Sequence, residues 1–406
     1  MSANTPIVSR RTGLTAAAAA LLTGVAGAPA ATASQRTPHA ARDASSLQKD
    51  VDAILATGVS GILAEVQGSH GRTSARAGVA DLAEKGPVPW DAYYRIGSDT
   101  KTFTATVVLQ LIGEGRLKLT DTVDRWLPGA VRGHGNDGRR ITVTNLLRQT
   151  SGLNDYFAAG AGDLTPESYH RHRFRSQTPA EQLTAALSKP PQWLPDANDP
   201  AQERRWGYSN TNYTVAGMLI EQVTGHPWAQ EIHERIIEPL GLRHTLTPGT
   251  SSYVPGPTAT AYTHFPGDPR PTDTTLNSGG GADGGIITTA RDHGVFLRSL
   301  MSGRLLRPAQ LAAMKQTVPA DLIPVPGVRY GLGIAWRPVA GRDDGIWFHG
   351  GTSLGCVSEC GVTPDGSTAV TSAAFTLRLG GRQAEEQAAR TLRMVDAALR
   401  AAPGGG

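Results

Sequence analysis

The stretch from residue 94 to 111, YRIGSDTKTFTATVVLQL, most constrains how this chain can fold. A short run of strand-forming residues stops at Gly97, and apolar residues at helical spacing follow it. The pattern predicts a strand that leads directly into a buried helix. Ser98 then lies at the helix start, where free N–H groups and the helix dipole favour negative charge. Lys101 lies one turn further on the same face, within reach of the Ser98 hydroxyl.

A serine hydroxyl is a weak nucleophile unless a base lies beside it. A lysine amine can act as that base when desolvation or a nearby positive charge lowers its pKa. The pair Ser98 and Lys101 therefore predicts an activated nucleophile. The alternative is an N-capping serine followed by a solvated lysine, so the prediction depends on the rest of the chain.

The composition excludes several classes of function. The chain has 406 residues, enough for a large core in one composite domain or two. Its 39 Lys and Arg against 35 Asp and Glu are scattered and give a net charge of +4, too small a bias to indicate nucleic-acid binding. No central apolar run approaches the roughly 18 residues that a membrane span needs. No group of His, Cys and carboxylates has metal-ligand spacing, so we expect neither a metal nor another cofactor.

Residues 1–33 have the layout of an export signal. An arginine pair, which resembles a twin-arginine signal, precedes an apolar run rich in Ala and Leu. Ala31-Thr32-Ala33 fits a cleavage site, although an uncleaved anchor is the alternative. We expect cleavage, a flexible leader over residues 34–44, and a secreted monomer without a membrane span.

Strand and helix patterns occupy both ends of the chain, over residues 45–112 and 270–400. Helix patterns, prolines and long loops fill residues 113–269. The prediction is an α+β fold, in which an antiparallel sheet is covered by helices from both chain ends and a mostly helical domain is inserted. Residues 401–406 are a tail.

Four finer expectations follow from local patterns. Residues 155–205 are predicted to be rich in loops, the Gly-rich residues 277–285 to line a cleft, and residues 330–336 to form one strand. Cys356 and Cys360, if on one strand, lie about 13 Å apart. A disulfide needs Cα atoms within about 7 Å, so we expect free thiols unless the strand breaks between them.

Two further motifs could complete a site. Tyr208 and Asn210 lie before a predicted helix over residues 212–224 and point the same way on an extended segment. A phenol near an ammonium has a lowered pKa and can shuttle a proton, and the Asn210 amide can position a carbonyl. A core tyrosine and a capping asparagine are the alternative. The second motif, residues 349–352, reads HGGT after a predicted strand, and paired glycines there let a ligand backbone approach closely.

The three motifs in this order resemble those of the penicillin-recognising serine hydrolases, related to secreted D-alanyl-D-alanine carboxypeptidases and class C β-lactamases. Residues 146–153, 208–226 and 330–333 are also similar, and the resemblance extends over roughly residues 45–400. It implies the β-lactamase/transpeptidase-like fold. It is less specific for substrate, because this family also contains esterases, amidases and D-amino-acid peptidases.

The resemblance implies a role for each catalytic group. Ser98 would attack a carbonyl and form an acyl-enzyme, while Lys101 and Tyr208 would share the proton traffic, with the identity of the base left open. The backbone N–H groups of Ser98 and Thr352 would form the oxyanion hole. The residues implied to bind substrate are Asn210, His349, which takes the place of Lys in the K-T-G version of the motif, Gly351 and Thr352.

Two departures weaken the resemblance to carboxypeptidases. Their motif has a Thr directly after the His, whose hydroxyl helps to bind the terminal carboxylate of the substrate, and here that residue is Gly350. The Arg that follows Gly-Leu-Gly-apolar in the carboxypeptidase-like strand is Ala335 here. We expect Arg337 to substitute, because two residues further along a strand lie on the same face, displaced by about 6–7 Å.

Three functions are therefore weighed. The first is an exported serine hydrolase acting on D-Ala-D-Ala-like cell-wall peptides, and the second uses the same nucleophile on esters, amides or β-lactams. The third is a binding or sensing protein that acylates without turnover or does not acylate. A dead binder should have lost Ser98, Lys101 or Tyr208, and all three are present.

Overall fold

The structure is a computed structural model that describes residues 44–69, 71–157 and 164–400. The predicted signal peptide, the tail and residues 34–43 of the predicted leader lie outside this part of the chain. Ala44, the last residue of that leader, already begins a helix. Within the described residues, no helix is long and apolar enough to cross a membrane.

The elements with described bounds alternate along the chain as follows. The helices are α1 (Ala44–Leu55), α2 (Thr100–Gly113), α3 (Val123–Trp126), α4 (Val143–Arg148), α5 (Pro166–His172), α6 (Pro179–Leu187), α7 (Pro200–Glu203), α8 (Thr211–Thr224), α9 (Trp228–Ile232), α10 (Glu238–Leu240), α11 (Ala290–Met301), α12 (Pro308–Met314) and α13 (Arg382–Arg400). The strands are β1 (Gly61–Gly68), β2 (Gly71–Gly78), β3 (Tyr94–Arg95), β4 (Arg132–Gly133), β5 (Asn136–Asp137), β6 (Tyr262–His264), β7 (Thr272–Asp273), β8 (Ile287–Thr288), β9 (Val318–Pro319), β10 (Arg329–Tyr330), β11 (Ala335–Val339), β12 (Arg342–Ser353), β13 (Cys356–Val362), β14 (Ala369–Ala374) and β15 (Thr376–Arg378).

An eight-stranded antiparallel sheet organises the fold, in the order β2-β1-β14-β13-β12-β11-β10-β9. The hairpin of β1 and β2 comes from the N-terminal part of the chain and joins the C-terminal strands where Ile62 pairs with Ala374. All six residues of β14 are buried, because helices cover both faces of the sheet there. The predicted α+β architecture is confirmed.

Helices from both chain ends cover one face of the sheet. Leu47 and Val51 of α1 belong to a cluster with Ala374, and Val395 of α13 packs against Ile346 of β12. On the opposite face lies α11, which accepts a hydrogen bond at the Ala290 carbonyl from Thr371 of β14. The spacing of these apolar residues, three or four apart on α1 and α13, gives each helix one buried stripe.

Helix α2 is enclosed by the sheet on one side and by the helical region on the other. Its residues from Thr100 to Leu109 are all buried. The threonine hydroxyls that this burial would leave unpaired donate to backbone carbonyls, from Thr102 to Gly333 and from Thr104 to Ala282. These bonds fix the N-terminal end of the helix, where Ser98 lies.

The region between the two sheet-forming parts is helical, as predicted, but residues 155–205 hold more structure than expected. They contain α5, α6 and α7. At α6 the Thr178 and Glu181 side chains form a capping box and Pro179 takes the first turn, so a start signal was present in the sequence. Strand β6 lies before the predicted domain boundary at residue 270 and pairs with β15.

The prediction of one strand over residues 330–336 is wrong. The segment forms two strands, β10 and β11, joined by a turn in which Gly333 has φ of +83°. A Cβ atom on Gly333 would overlap the Ala105 side chain of α2, so the turn packs closely against the central helix. An apolar pattern with two glycines does not distinguish a strand from this tight reversal.

Candidate active site

Ser98 is held between the start of α2 and strand β12. Gly97 has φ of +51°, a left-handed conformation that favours glycine. A Cβ atom on Gly97 would lie 2.6 Å from the Thr352 carbonyl oxygen, so the close approach to β12 also requires glycine. The turn Gly97–Asp99 then brings Ser98 to the helix start, where its half-buried side chain lines a cleft.

Lys101 is fully buried one helical turn after Ser98. Its Nζ lies 3.0 Å from Ser98 Oγ, 2.7 Å from Asn210 Oδ1 and 2.8 Å from the Asp283 carbonyl oxygen. Burial lowers the pKa of Lys101 to about 8, although the charges of Asp283 and Asp155 act in the opposite direction. A neutral amine retains two N–H donors for Asn210 and Asp283, and its lone pair then faces the Ser98 hydroxyl.

Tyr208 contacts the same serine from the other side. Its hydroxyl donates to Ser98 Oγ over 2.7 Å, and Lys101 Nζ lies 4.9 Å from the centre of its ring. Burial raises the pKa of Tyr208 well above its ordinary value, with a smaller contribution from Tyr330. The expectation of a lowered pKa is therefore corrected, because desolvation of the phenolate outweighs attraction to a lysine that is itself readily neutralised.

Asn210 connects the lysine to a buried carboxylate. Its Oδ1 accepts from Lys101, and its Nδ2 donates to Asp155 Oδ2 over 3.0 Å. Burial raises the pKa of Asp155. Asp283 is fixed in turn by the Tyr156 hydroxyl, which donates to its Oδ2 over 2.8 Å. The sequence analysis missed both acids, although Asp283 lies in the Gly-rich segment that was predicted to line a cleft and does so.

The edge of β12 beside Ser98 is open to the cleft. Strand β11 pairs with β12 only as far as the pair Ala335 and Phe348, so the backbone beyond has no partner strand on that side among the described residues. A Cβ atom on Gly351 would overlap the Ile96 carbonyl oxygen. Gly351 is therefore required for the close contact that brings the Thr352 backbone beside Ser98.

His349 lines the cleft but faces partners below it. Its Nδ1 donates to the Gly350 carbonyl over 2.8 Å, so Nε2 accepts from the Tyr330 hydroxyl at 3.0 Å. Asp99 Oδ1 lies 3.6 Å from Nδ1. The ring is 5% exposed, and this network fixes its orientation.

The expectation for Arg337 is corrected. Its guanidinium is buried, forms an ion pair with Asp396 of α13 and lies 5.1 Å from the centre of the Phe348 ring. Ala335 lines the cleft, whereas Arg337 does not. A two-residue shift keeps the face of the strand, but it moves the side chain along β11 to the register of Ile346, beneath α13.

The cleft has a volume of about 760 Å³. Ser98, Tyr208 and Asn210 lie at one end, and the segment of residues 164–182 forms part of its rim. Towards α13 the cleft passes Gly350 and reaches Glu359 of β13, another residue that the sequence analysis did not single out. A cleft of this size accommodates a substrate larger than a single amino acid.

Two groups of side chains in the described part of the chain could hold a metal by distance. In the first, Asp99, His293 and Cys360 are buried with potential ligand atoms within 4.8 Å of one another. Burial raises the pKa of the Cys360 thiol, which disfavours the thiolate that metals bind. In the second, His226, Glu231 and Glu234, Glu231 is already paired with a neighbouring arginine. Neither group indicates a metal site. Cys356 and Cys360 are free thiols, as predicted.

An antiparallel sheet beside a helix that begins with a serine, contacted by a buried lysine and a tyrosine, defines a serine hydrolase. A family model described as Beta-lactamase matches residues 47–393, so the chain belongs to the beta-lactamase family. The predicted relationship to penicillin-recognising serine hydrolases is confirmed.

Solved structures agree with this assignment. The chain is 37% identical to a D-stereospecific amidohydrolase from Streptomyces sp., with a TM-score of 0.74, over 82% of this chain and 95% of that one. It is 26% identical to the D-amino acid amidase from Ochrobactrum anthropi SV3, with a TM-score of 0.71, over 86% of this chain and 97% of that one.

Curated relatives are more distant. Penicillin-binding protein 4 of Amycolatopsis lactamdurans is 28% identical over 288 residues, 68% of this chain and 70% of that protein. Other matches cover less of the relative, 61% of a Bacillus subtilis penicillin-binding protein homologue, PbpX, and 30% of protein flp of Staphylococcus aureus. The activities of those longer proteins do not transfer to this chain by similarity alone.

Proposed function

We propose that this chain is an exported serine amidohydrolase that cleaves small amides of D-amino acids through an acyl-enzyme on Ser98. The observation that carries the proposal is the pair of contacts on one oxygen. Lys101 Nζ and the Tyr208 hydroxyl both reach Ser98 Oγ, and burial lowers the pKa of the amine while it raises the pKa of the phenol. A base and an acid of divergent pKa on one nucleophile are suited to general acid–base catalysis.

In the acylation step, the neutral Lys101 amine takes the proton of Ser98 as Oγ bonds to the carbonyl carbon. The carbonyl oxygen becomes negative and is stabilised by the backbone N–H groups of Ser98 and Thr352. Such donors are worth about 2.7–4 kcal/mol each in comparable hydrolases. The C–N bond then breaks, the leaving nitrogen takes a proton from the Tyr208 hydroxyl, and the Lys101 ammonium replaces that proton.

In the deacylation step, water attacks the ester formed on Ser98. Lys101 again accepts the proton of the nucleophile, and the proton returns to Ser98 Oγ as the acid product leaves. Asn210 keeps the lysine in place throughout, because its Oδ1 accepts from Nζ and its Nδ2 is anchored on Asp155. Asn210 is thus proposed to act first by positioning Lys101.

Two features support amides over carboxypeptidase substrates. The solved relatives of highest identity described above are named for D-stereospecific amide hydrolysis. The chain also lacks the carboxylate-binding hydroxyl at Gly350, and Arg337 is occupied by Asp396. The D-alanyl-D-alanine carboxypeptidase activity stays a prediction. A β-lactam is a second candidate substrate, supported by the penicillin-binding relative.

The test uses purified protein with D-phenylalanine amide, L-phenylalanine amide, a D-Ala-D-Ala peptide, a nitrophenyl ester and benzylpenicillin. Product formation and intact mass are followed in parallel. We expect fast hydrolysis of the D-amide and an adduct that maps to Ser98 with the ester. Hydrolysis of the D-Ala-D-Ala peptide at a comparable rate would restore the carboxypeptidase, and turnover of penicillin would indicate a β-lactamase. A stable penicillin adduct with no turnover of any substrate would indicate a sensor.

Export rests on residues 1–33 and is tested separately. Expression of the full chain in an actinobacterial or other export-competent host should yield extracellular protein that begins at Ser34, as read by N-terminal mass spectrometry. Retention of Met1 in the membrane fraction would indicate the anchor instead.

A further inference from the structure

Glu359 places a carboxyl group where the cleft passes Gly350. The two residues are paired across β12 and β13. A Cβ atom on Gly350 would lie 2.8 Å from Glu359 Oε2, so the glutamate occupies the space that a side chain at position 350 would fill. Both residues line the cleft that contains Ser98.

This carboxyl group is incompletely satisfied. Its Oε1 is buried and has no hydrogen-bond partner among the described residues. Burial raises the pKa of Glu359 to about 8, Asp99 and Asp396 act in the same direction, and Arg337 opposes them. Arg337 is the cation near enough to matter, and its ion pair is with Asp396. A buried polar atom left without a partner costs stability, and substrate binding can recover that cost.

The position of the group relates it to the leaving group of the substrate. A substrate carbonyl at Ser98 lies along the open edge of β12, and Gly350 is two residues before Thr352 on that edge. The position after His349 is the one whose hydroxyl serves a terminal carboxylate in the related carboxypeptidases. In this chain that hydroxyl is absent and a carboxyl group takes its space, so the electrostatic preference at this point is reversed.

We propose that Glu359, exposed to the cleft by Gly350, forms a leaving-group subsite that accepts cationic groups and rejects carboxylates. The substrates would be D-amino acid amides whose leaving amine carries an ammonium group, such as short diamines. This inference rests on the proposed amidohydrolase function, because it concerns the leaving side of the same acyl transfer. The ammonium donates to the unpartnered Oε1 side of the carboxyl and keeps it ionised, whereas a substrate carboxylate meets a like charge or must share its proton.

The test is a series of three D-phenylalanine amides with leaving groups of equal length. Their leaving amines are ethylenediamine, which is cationic, propylamine, which is neutral, and β-alanine, which is anionic. The kcat/KM of each is measured at pH 7 with the wild-type protein, Glu359→Gln and Glu359→Arg. Glu385→Gln is the matched control, because it removes a carboxylate from the exposed surface of α13. Thermal unfolding checks that each variant folds.

The expected order for the wild type is cationic, neutral, anionic. Glu359→Gln should reduce the ratio of cationic to anionic kcat/KM at least about tenfold, and Glu359→Arg should invert it, whereas Glu385→Gln should keep it. The same ratio in wild type and Glu359→Gln would overturn the subsite while amide turnover sustains the proposed function. If the wild type hydrolyses no amide but forms the Ser98 ester adduct, the amidase proposal fails. The D-phenylalanine esters of ethanolamine, propanol and 3-hydroxypropionate then test the subsite on their own.

Discussion

The two ends of the cleft differ in how completely their polar atoms are paired. At the nucleophile end, Ser98 Oγ is contacted by both Lys101 and Tyr208, and Nζ of the lysine has three oxygen neighbours. At the other end, Oε1 of Glu359 has no described partner, and Gly350 leaves the group open to the cleft. The first end is preorganised for one reaction, while the second leaves a polar group for the substrate to satisfy. Chemistry and selectivity are thus separable by mutation.

The largest expected effect comes from removing the nucleophile. Ser98→Ala should lower kcat on every substrate by about 10⁴-fold or more, because no other group can form the acyl-enzyme. Intact mass should show no adduct with the nitrophenyl ester. Ser302→Ala, on the surface after α11, is the control and should retain activity. Substantial turnover by Ser98→Ala would remove the basis for the whole site.

Adjacent glycines on β12 offer a direct comparison of the two ends. Gly351→Ala should destabilise the protein by about 1–3 kcal/mol and reduce kcat/KM about 100-fold, since its Cβ would overlap the Ile96 carbonyl and displace Thr352 from Ser98. Gly350→Ala faces the end of a flexible glutamate, so its melting temperature should fall less. Both quantities come from thermal unfolding and steady-state kinetics. Equal loss of stability in the two variants would contradict the difference in backbone contact.

The pH dependence separates the two candidate bases. Lys101 must be neutral to accept the serine proton, and its pKa is about 8. The kcat/KM on the neutral propylamide should therefore rise roughly tenfold from pH 7 to pH 9 and then level off. If Tyr208 were the base, its pKa, raised well above the ordinary value, would make the rate continue to rise beyond pH 10. Tyr208→Phe should reduce activity but keep the midpoint near pH 8.

The sequence predicted the nucleophile end far better than the other. Ser98 and Lys101 are three residues apart on one helix, so local spacing places them together. Tyr208 is distant in the chain and was found because its motif recurs in a known order. Glu359 gives no such signal. Strand β13 is covered on both faces, and alternation within CVSECGV does not say whether Glu359 or Ser358 faces the cleft.

The Arg337 prediction failed for a related reason. Strand geometry correctly kept the side chain on the face of Ala335, but it could not show that α13 covers that face one register further along or that Asp396 lies there. Contacts between a strand and a helix distant in sequence depend on packing that the local pattern does not contain. The same holds for Asp155 and Asp283, which approach Lys101 from two separate loops.

The smallest predicted effect concerns one of those acids and has the opposite sign. Asp155 raises the pKa of Lys101 through its charge, against the larger lowering by burial. Asp155→Asn keeps an oxygen to accept from Asn210 Nδ2 but removes the charge, so the ammonium form of Lys101 is less stabilised. The midpoint of the kcat/KM profile should move to lower pH by less than about one unit, and the rate at pH 7 should rise up to a few-fold. Asp91→Asn, on the exposed surface, should leave the midpoint unchanged. A midpoint that moves to higher pH in Asp155→Asn would mean that Asp155 acts through the position of Asn210 and not through its charge, and the nucleophile end would then be less rigid than its hydrogen bonds imply.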